Sequence, residues 1–245
     1  MSSVSHSLLE YKDSNGKVYE GDLYVPRTTG MRKLPGVVVY SAFRGITEFE
    51  KDRAKALAQE GYIALAADPF GKRIRPTETA ECFGIVRPLV TERIEKLKPV
   101  ITAAIDAIKT VHGIDSEKLG AIGFCFGGLC VLDLARYNIA GLRAVSSFHG
   151  TLKPLPDAPL DPIKGIAIQV HHGDADSHIP KEQVDDFQVE MRTRQADFLF
   201  FSHAFAEHGF TEPHADSFGL PGVKYNEKAA KRSWTATLAL FKEVF

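Results

Sequence analysis

Short apolar runs and amphipathic stretches alternate along this chain. Residues 36–40 carry Val37, Val38 and Val39 in a row, the pattern of a strand buried on both faces. Residues 62–67, 119–124, 144–148, 165–171 and 197–201 read as further strands, and 18–25 as an edge strand closed by Pro26. Between them, 49–60 places Ala54, Leu57 and Ala58 on one helical face and stops at Gly61. Residues 92–111 bring Val100, Ile101, Ala104, Ile105 and Ile108 to one side, with Pro99 marking a kink or a boundary. Helices are also expected over 127–137, 179–193 and 224–245. Residues 70–91, with Pro76 and Pro88 and no clean period, are expected to form an irregular segment serving as a cleft wall or lid. Strand and helix in alternation call for an α/β fold: a mostly parallel sheet with helices on both faces, in one domain spanning 1–245.

Composition narrows the function. Thirty Lys and Arg balance 31 Asp and Glu over 245 residues, for a formal net charge of −1. Nucleic-acid binding, which draws on a basic excess or stripe, is not expected. The basic cluster Lys72-Arg73-Ile74-Arg75 ends at Pro76 and reads as a solvated loop. No window approaches the ~18 apolar residues of a membrane span. The first residues, Met1-Ser2-Ser3-Val4-Ser5-His6, lack a secretory pattern. Three cysteines, Cys82, Cys125 and Cys130, are too few for a disulfide framework, so a cytoplasmic protein with free thiols is expected. The oligomeric state is not encoded in any pattern recognised in the chain.

The richest stretch is Gly123-Phe124-Cys125-Phe126-Gly127-Gly128, with the spacing G-x-C-x-G between an apolar strand and a helix. In the G-x-S-x-G elbow a buried strand turns so sharply into a helix that the nucleophile takes strained backbone geometry. The flanking glycines avoid Cβ clashes. The elbow projects Cys125 into a cleft and aims the Phe126 N–H at a developing oxyanion from a helix N-terminus. A thiol suits that seat, because a helix N-terminus and a nearby imidazole favour the thiolate. Cys130, in an apolar helical setting, reads as core, and Cys82 has no assigned role.

A nucleophile on such a sheet needs an acid and then a histidine at later strand ends. The strand over 165–171 runs into His172-Gly173-Asp174-Ala175-Asp176-Ser177-His178-Ile179-Pro180. Asp176, at the loop apex, is the favoured acid, with Asp174 as a turn or capping residue. After the last strand, His208-Gly209-Phe210 supplies the favoured base. His203, nearer the strand, is its competitor. His208 would take the thiol proton, with Asp176 holding its tautomer. The crowded His171-to-His178 run lacks the spacing of zinc motifs, and no phosphate-binding glycine motif is present. Neither a metal nor a nucleotide cofactor is expected.

With Cys125, Asp176 and His208 in place, the chain resembles the dienelactone hydrolase family of α/β-hydrolases. The resemblance runs from about residue 18 to the C-terminus. It includes the elbow, residues 56–71, Phe148-His149-Gly150, the G-x-x-D-x-x-I-P loop and His208-Gly209-Phe210. It implies a carboxylic ester or lactone hydrolase working through a thiolate and an acyl-thioenzyme, without cofactor, on a small molecule. It also implies a second oxyanion donor from the loop after Tyr40, the Phe43 N–H, with the Ala42 N–H as the fallback. Two positions depart from the family. Ala42 occupies the seat of a glutamate that gates the resting cysteine in members that open dienelactone. Glu212 stands where those members place a carboxylate-clamping arginine. A substrate carboxylate would be repelled by Glu212 unless Arg44 or Arg87 substitutes. Phe83 and Arg87 are candidate substrate contacts in 70–91. The alternative is a non-catalytic scaffold of the same fold that binds a small molecule or partner protein.

Overall fold

The computed structural model describes residues 3–27, 33–156 and 158–245. Eight strands form a mostly parallel sheet, and the chain divides into two compact units, Met1–Ala121 and Ile122–Phe245.

The first unit contains β1 (Val4–Lys12), β2 (Val18–Pro26), β3 (Leu34–Tyr40), α1 (Glu48–Gln59) and β4 (Ile63–Ala67). These are followed by α2 (Thr79–Thr91), a π-helical turn at Arg93–Leu97, α3 (Lys98–Lys109) and β5 (Ile114–Phe124), whose last residues belong to the second unit. Strand order here is β1-β2-β4-β3-β5. β3 and β4 run parallel with Val38 opposite Leu65, and Val37, Val38 and Val39 are fully buried. Helix α1 packs on β2, β3 and β4, and α3 on β3 and β4.

Two expectations are corrected in this unit. The strand at 18–25 is not an edge, because β1 pairs with it antiparallel along its whole length. β1 is mostly polar and exposed, so it has no apolar run to betray it. Cross-strand contacts hold it: His6 Nε2 lies 2.7 Å from Asp22 Oδ1, and the rings of Tyr11 and Tyr19 stack at 5.5 Å. The segment 70–91 is not irregular throughout, since 79–91 is α2, which buries Cys82 and Val86 one turn apart. Gly84 and the internal Pro88 mask that spacing in the sequence. The helical stretch expected over 92–111, with Pro99 at a kink or boundary, is a π-helical turn followed by α3, and Pro99 lies at that boundary in the first turn of α3. A proline there removes no intrahelical bond.

The second unit continues from the end of β5 into α4 (Phe126–Arg136), β6 (Leu142–Phe148) and β7 (Ala167–Gly173). It closes with α5 (Lys181–Thr193), β8 (Asp197–His203), a 3₁₀ turn at Ala215–Phe218 and α6 (Glu227–Val244). β6, β7 and β8 are consecutive and parallel. Helix α4 packs on β6, and α6 on β6 and β7.

A buried ion network ties α4 to α5. The Arg136 guanidinium donates to both Glu190 oxygens at 3.0 and 2.7 Å, and to Asp133 Oδ1 at 3.0 Å. Arg194 Nε adds a 2.8 Å bond to Glu190 Oε1. Burial alone would push the Glu190 carboxyl up, but the two guanidiniums hold it below the ordinary range. Among the described residues no helix is long and apolar enough to cross a membrane.

Candidate active site

The second unit builds the site from three strand ends. β5 ends at Phe124 and α4 starts at Phe126, so the whole turn is Cys125, with φ 52° and ψ −110°. That backbone is costly for any side chain and is held by its neighbours. Cys125 N donates to Phe148 O at 3.0 Å, and Gly128 N donates to Cys125 O at 3.0 Å. A Cβ on Gly123 would fall 1.9 Å from Gly127 O, and one on Gly128 would fall 2.6 Å from the Gly150 Cα. The elbow can close only with glycine at those places. Phe126 is the first residue of α4, where a backbone N–H has no intrahelical acceptor.

β7 leads to the candidate acid. Asp176 lies in the turn beyond it with its side chain fully buried. Its Oδ1 accepts from His178 N at 2.9 Å, and its Oδ2 lies 2.8 Å from His208 Nδ1. Asp174 is exposed and engaged elsewhere: its backbone N donates to His203 O, and Ser202 Oγ donates to its Oδ1 at 3.4 Å. His203 turns its Nε2 toward His171 Nδ1 at 3.3 Å.

Past β8, the His208 backbone is clamped from both sides, its N donating to Gly222 O and its O accepting from Lys224 N. With Nδ1 on Asp176, the ring presents Nε2 to Cys125 Sγ at 3.1 Å. Cys125, His208 and Asp176 thus form one hydrogen-bonded line, whereas Asp174 and His203 lie outside it. Burial of His208 works against its charge, yet its interactions with Cys125 and the Asp176 carboxylate outweigh it and raise the imidazole to about 10. Its unfolded value is near 6.5, so the stability gained from the charged ring is complete below 6.5 and is lost as pH rises through about 10. ¹⁵N NMR should therefore find His208 still protonated at pH 8 in the wild type. Titration at a lower pH is expected in Cys125→Ala, which removes the largest favourable charge. An unchanged titration there would show that the thiol does not hold the proton on the ring.

The remaining candidates are spread over both units. In the first, Phe43 follows β3, stacks on Phe83 at 4.6 Å and lies under the Arg44 guanidinium. Arg44 Nη2 reaches Thr79 Oγ1 at 3.5 Å, and Phe83 and Arg87 are exposed on α2. The Ala42 N–H, the fallback oxyanion donor, is already engaged: it donates to Glu50 Oε1 at 3.3 Å. Glu50 is buried and also accepts from Thr47 N and Thr47 Oγ1, closing the capping box of α1 over the loop 41–47. The sequence carried that signal as T-x-x-E. In the second unit Glu212 is half-buried, with its N donating to Gly209 O. Cys82 and Cys130 are buried, and burial raises the Cys82 thiol. The residues that sequence reasoning left without a role are His149, Thr211 and His178, all in contact with the His208 segment or its acid.

Comparison with known proteins follows the same outline. An uncharacterized protein of Caenorhabditis elegans is 52% identical over 157 residues, covering 64% of this chain and 99% of its own. A probable 2-oxo-3-(5-oxofuran-2-ylidene)propanoate lactonase of Bradyrhizobium is 29% identical over 92% of this chain and 89% of its own. Among solved structures, a dienelactone hydrolase-like promiscuous phosphotriesterase from metagenomic libraries superposes with a TM-score of 0.93. It is 33% identical, with 99% of both chains covered. The sequence profile of the dienelactone hydrolase family matches residues 20–245, and the chain belongs to that family.

Proposed function

We propose that this hydrolase cleaves a small carboxylic ester or lactone through Cys125 as nucleophile, His208 as acid and base, and Asp176 as the group that orients His208. The observation that carries this reading is the unbroken line Cys125 Sγ–His208 Nε2–His208 Nδ1–Asp176 Oδ2, at 3.1 and 2.8 Å, on a strained elbow. The Cys125 thiolate adds to the substrate carbonyl, and the carbonyl π electrons move to oxygen. The Phe126 N–H, at the start of α4, receives that oxyanion. Collapse breaks the C–O bond, and the His208 imidazolium protonates the leaving oxygen, leaving an acyl-thioenzyme. Neutral His208 then takes a proton from water, whose oxygen attacks the thioester, and the carboxylic acid and thiolate are released. For a lactone the leaving oxygen stays on the acyl chain.

A lactone agrees with the lactonase activity assigned to the Bradyrhizobium relative. The carboxylate clamp does not carry over, because Glu212 offers the wrong charge. Substrate contact by Arg44, Phe83 and Arg87, all in the first unit, and by Glu212 in the second stays a proposal read from the sequence. The chain's own groups supply each step above, and the free thiols of Cys82, Cys125 and Cys130 suit a reducing, cytoplasmic setting.

The test is acid quenching of the enzyme during turnover of p-nitrophenyl acetate, followed by peptide mass spectrometry. One acetyl group on the peptide holding Cys125 is expected. Rapid turnover with the acetyl group on another side chain, or with none trapped under conditions where deacylation is slow, would overturn the reading.

A further inference from the structure

His149 follows β6 with φ 39°, a left-handed conformation at a buried residue that is not glycine. Backbone outliers of this kind persist only where surrounding structure imposes them, and they gather at functional sites. Its sequence neighbours serve the elbow: Phe148 O accepts from Cys125 N, and Gly150 lies against Gly128. Its own backbone N donates to His171 O at 2.8 Å. The side chain reaches the base's loop at three points. Nε2 lies 2.8 Å from Thr211 Oγ1, and the ring stands edge-on to His208 and to Phe210, each at 5.2 Å.

Asp176 restrains the His208 ring at one atom, Nδ1. A ring held at one atom can still tilt about that bond and swing Nε2 away from sulfur. Its plane is fixed by what flanks it, and two rings do so: exposed His178 at 5.0 Å and buried His149 at 5.2 Å. Only His149 also connects to the segment holding Cys125. We propose that His149 is a positioning residue which, anchored to Thr211, braces His208 and sets the 3.1 Å separation between Cys125 Sγ and His208 Nε2. This rests on the reading of Cys125 and His208 as nucleophile and base. Burial, with the neighbouring His208 charge, holds the His149 imidazole well below its ordinary value, so the brace stays uncharged beside the His208 cation.

The test uses Thr211→Val, which removes the anchor hydroxyl at nearly constant volume, His149→Phe, which keeps a ring without the bond, and the pair together. Each single change is expected to lower kcat for p-nitrophenyl acetate about tenfold with KM within about twofold, since misplacement costs rate rather than binding. Each should also shift the pH profile of Cys125 alkylation by iodoacetamide. The double variant should be no slower than the worse single one, because both cut the same connection. His149→Gln, which can still reach Thr211, should recover part of the loss. Wild-type kcat and alkylation profile in folded Thr211→Val would overturn the proposal, even if His149→Phe fails to fold. So would losses that simply follow the thermal midpoint, or additive effects in the double variant. The alkylation profile needs no turnover, so it still reports on His149 if Cys125→Ala retains hydrolysis and the nucleophile assignment fails.

Discussion

Cys125→Ala is expected to abolish the p-nitrophenol burst and to lower steady-state hydrolysis of p-nitrophenyl acetate by roughly 10⁴–10⁶-fold. The variant should fold, because alanine keeps the Cβ that the elbow already accommodates and the hydrogen bond between Cys125 N and Phe148 O is made by the backbone. What it loses is the sulfur facing His208 Nε2, and with it the covalent path. Residual rate would come from the oxyanion donors and from His208 acting on water, as in other enzymes stripped of one member of a nucleophile–base pair. His208→Ala should fall into the same range, and the Cys125→Ala/His208→Ala pair should be little worse than either alone, since the two act as a unit. A stopped-flow burst titrated against enzyme concentration, with circular dichroism as the folding control, decides the matter. Hydrolysis within tenfold of wild type in folded Cys125→Ala would move the function to another nucleophile or to a binding scaffold.

Arg136→Ala should be the most destabilising single change in the second unit, costing about 3–5 kcal/mol in urea unfolding. The guanidinium is fully buried and is bound to Glu190 through two bonds, to Asp133 and to Leu152 O at 3.3 Å. Removing it leaves two carboxylates in the interior with one cation, Arg194, between α5 and the backbone of Pro159 and Asp161. The pH dependence has a definite sign. Glu190 is held below its ordinary value near 4.5 despite burial, so its contribution is present above that pH and is lost as pH falls through the folded value. The deficit of Arg136→Ala relative to wild type should therefore be largest near neutrality and should shrink as pH falls through about 4.5, where the Glu190 carboxyl can take up a proton. Equal unfolding midpoints for the two proteins at pH 7 would contradict this account of the network.

The site and the fold were legible to different depths. The elbow could be read because its cause is local: Gly123 and Gly128 avoid clashes only as glycines, and they lie within five residues of each other. Asp176 and His208 could be nominated because a parallel sheet puts its functional loops after strand ends, and both follow recognisable apolar runs. Helix α2 was hidden because Pro88 and Gly84 oppose local helix propensity, and burial of Cys82 and Val86 overrides them. β1 was hidden because a polar edge strand is defined by its partner and not by its own pattern.

The amino-acid sequence by itself determined the alternation of strands and helices, the glycine-flanked turn at Cys125 and the order of the residues that follow it. These depend on periodicity and on contacts between near neighbours in the chain. Only the tertiary structure decided that His208 and not His203 meets Cys125, that Asp176 and not Asp174 meets His208, and that Glu50 occupies the Ala42 amide. It alone joined His149 to Thr211, 62 positions apart. A hydrogen bond is settled by distances of a few tenths of an ångström and by competition for each donor. Residue type and spacing confine a side chain to a strand end, and the packed loops choose which partner it reaches.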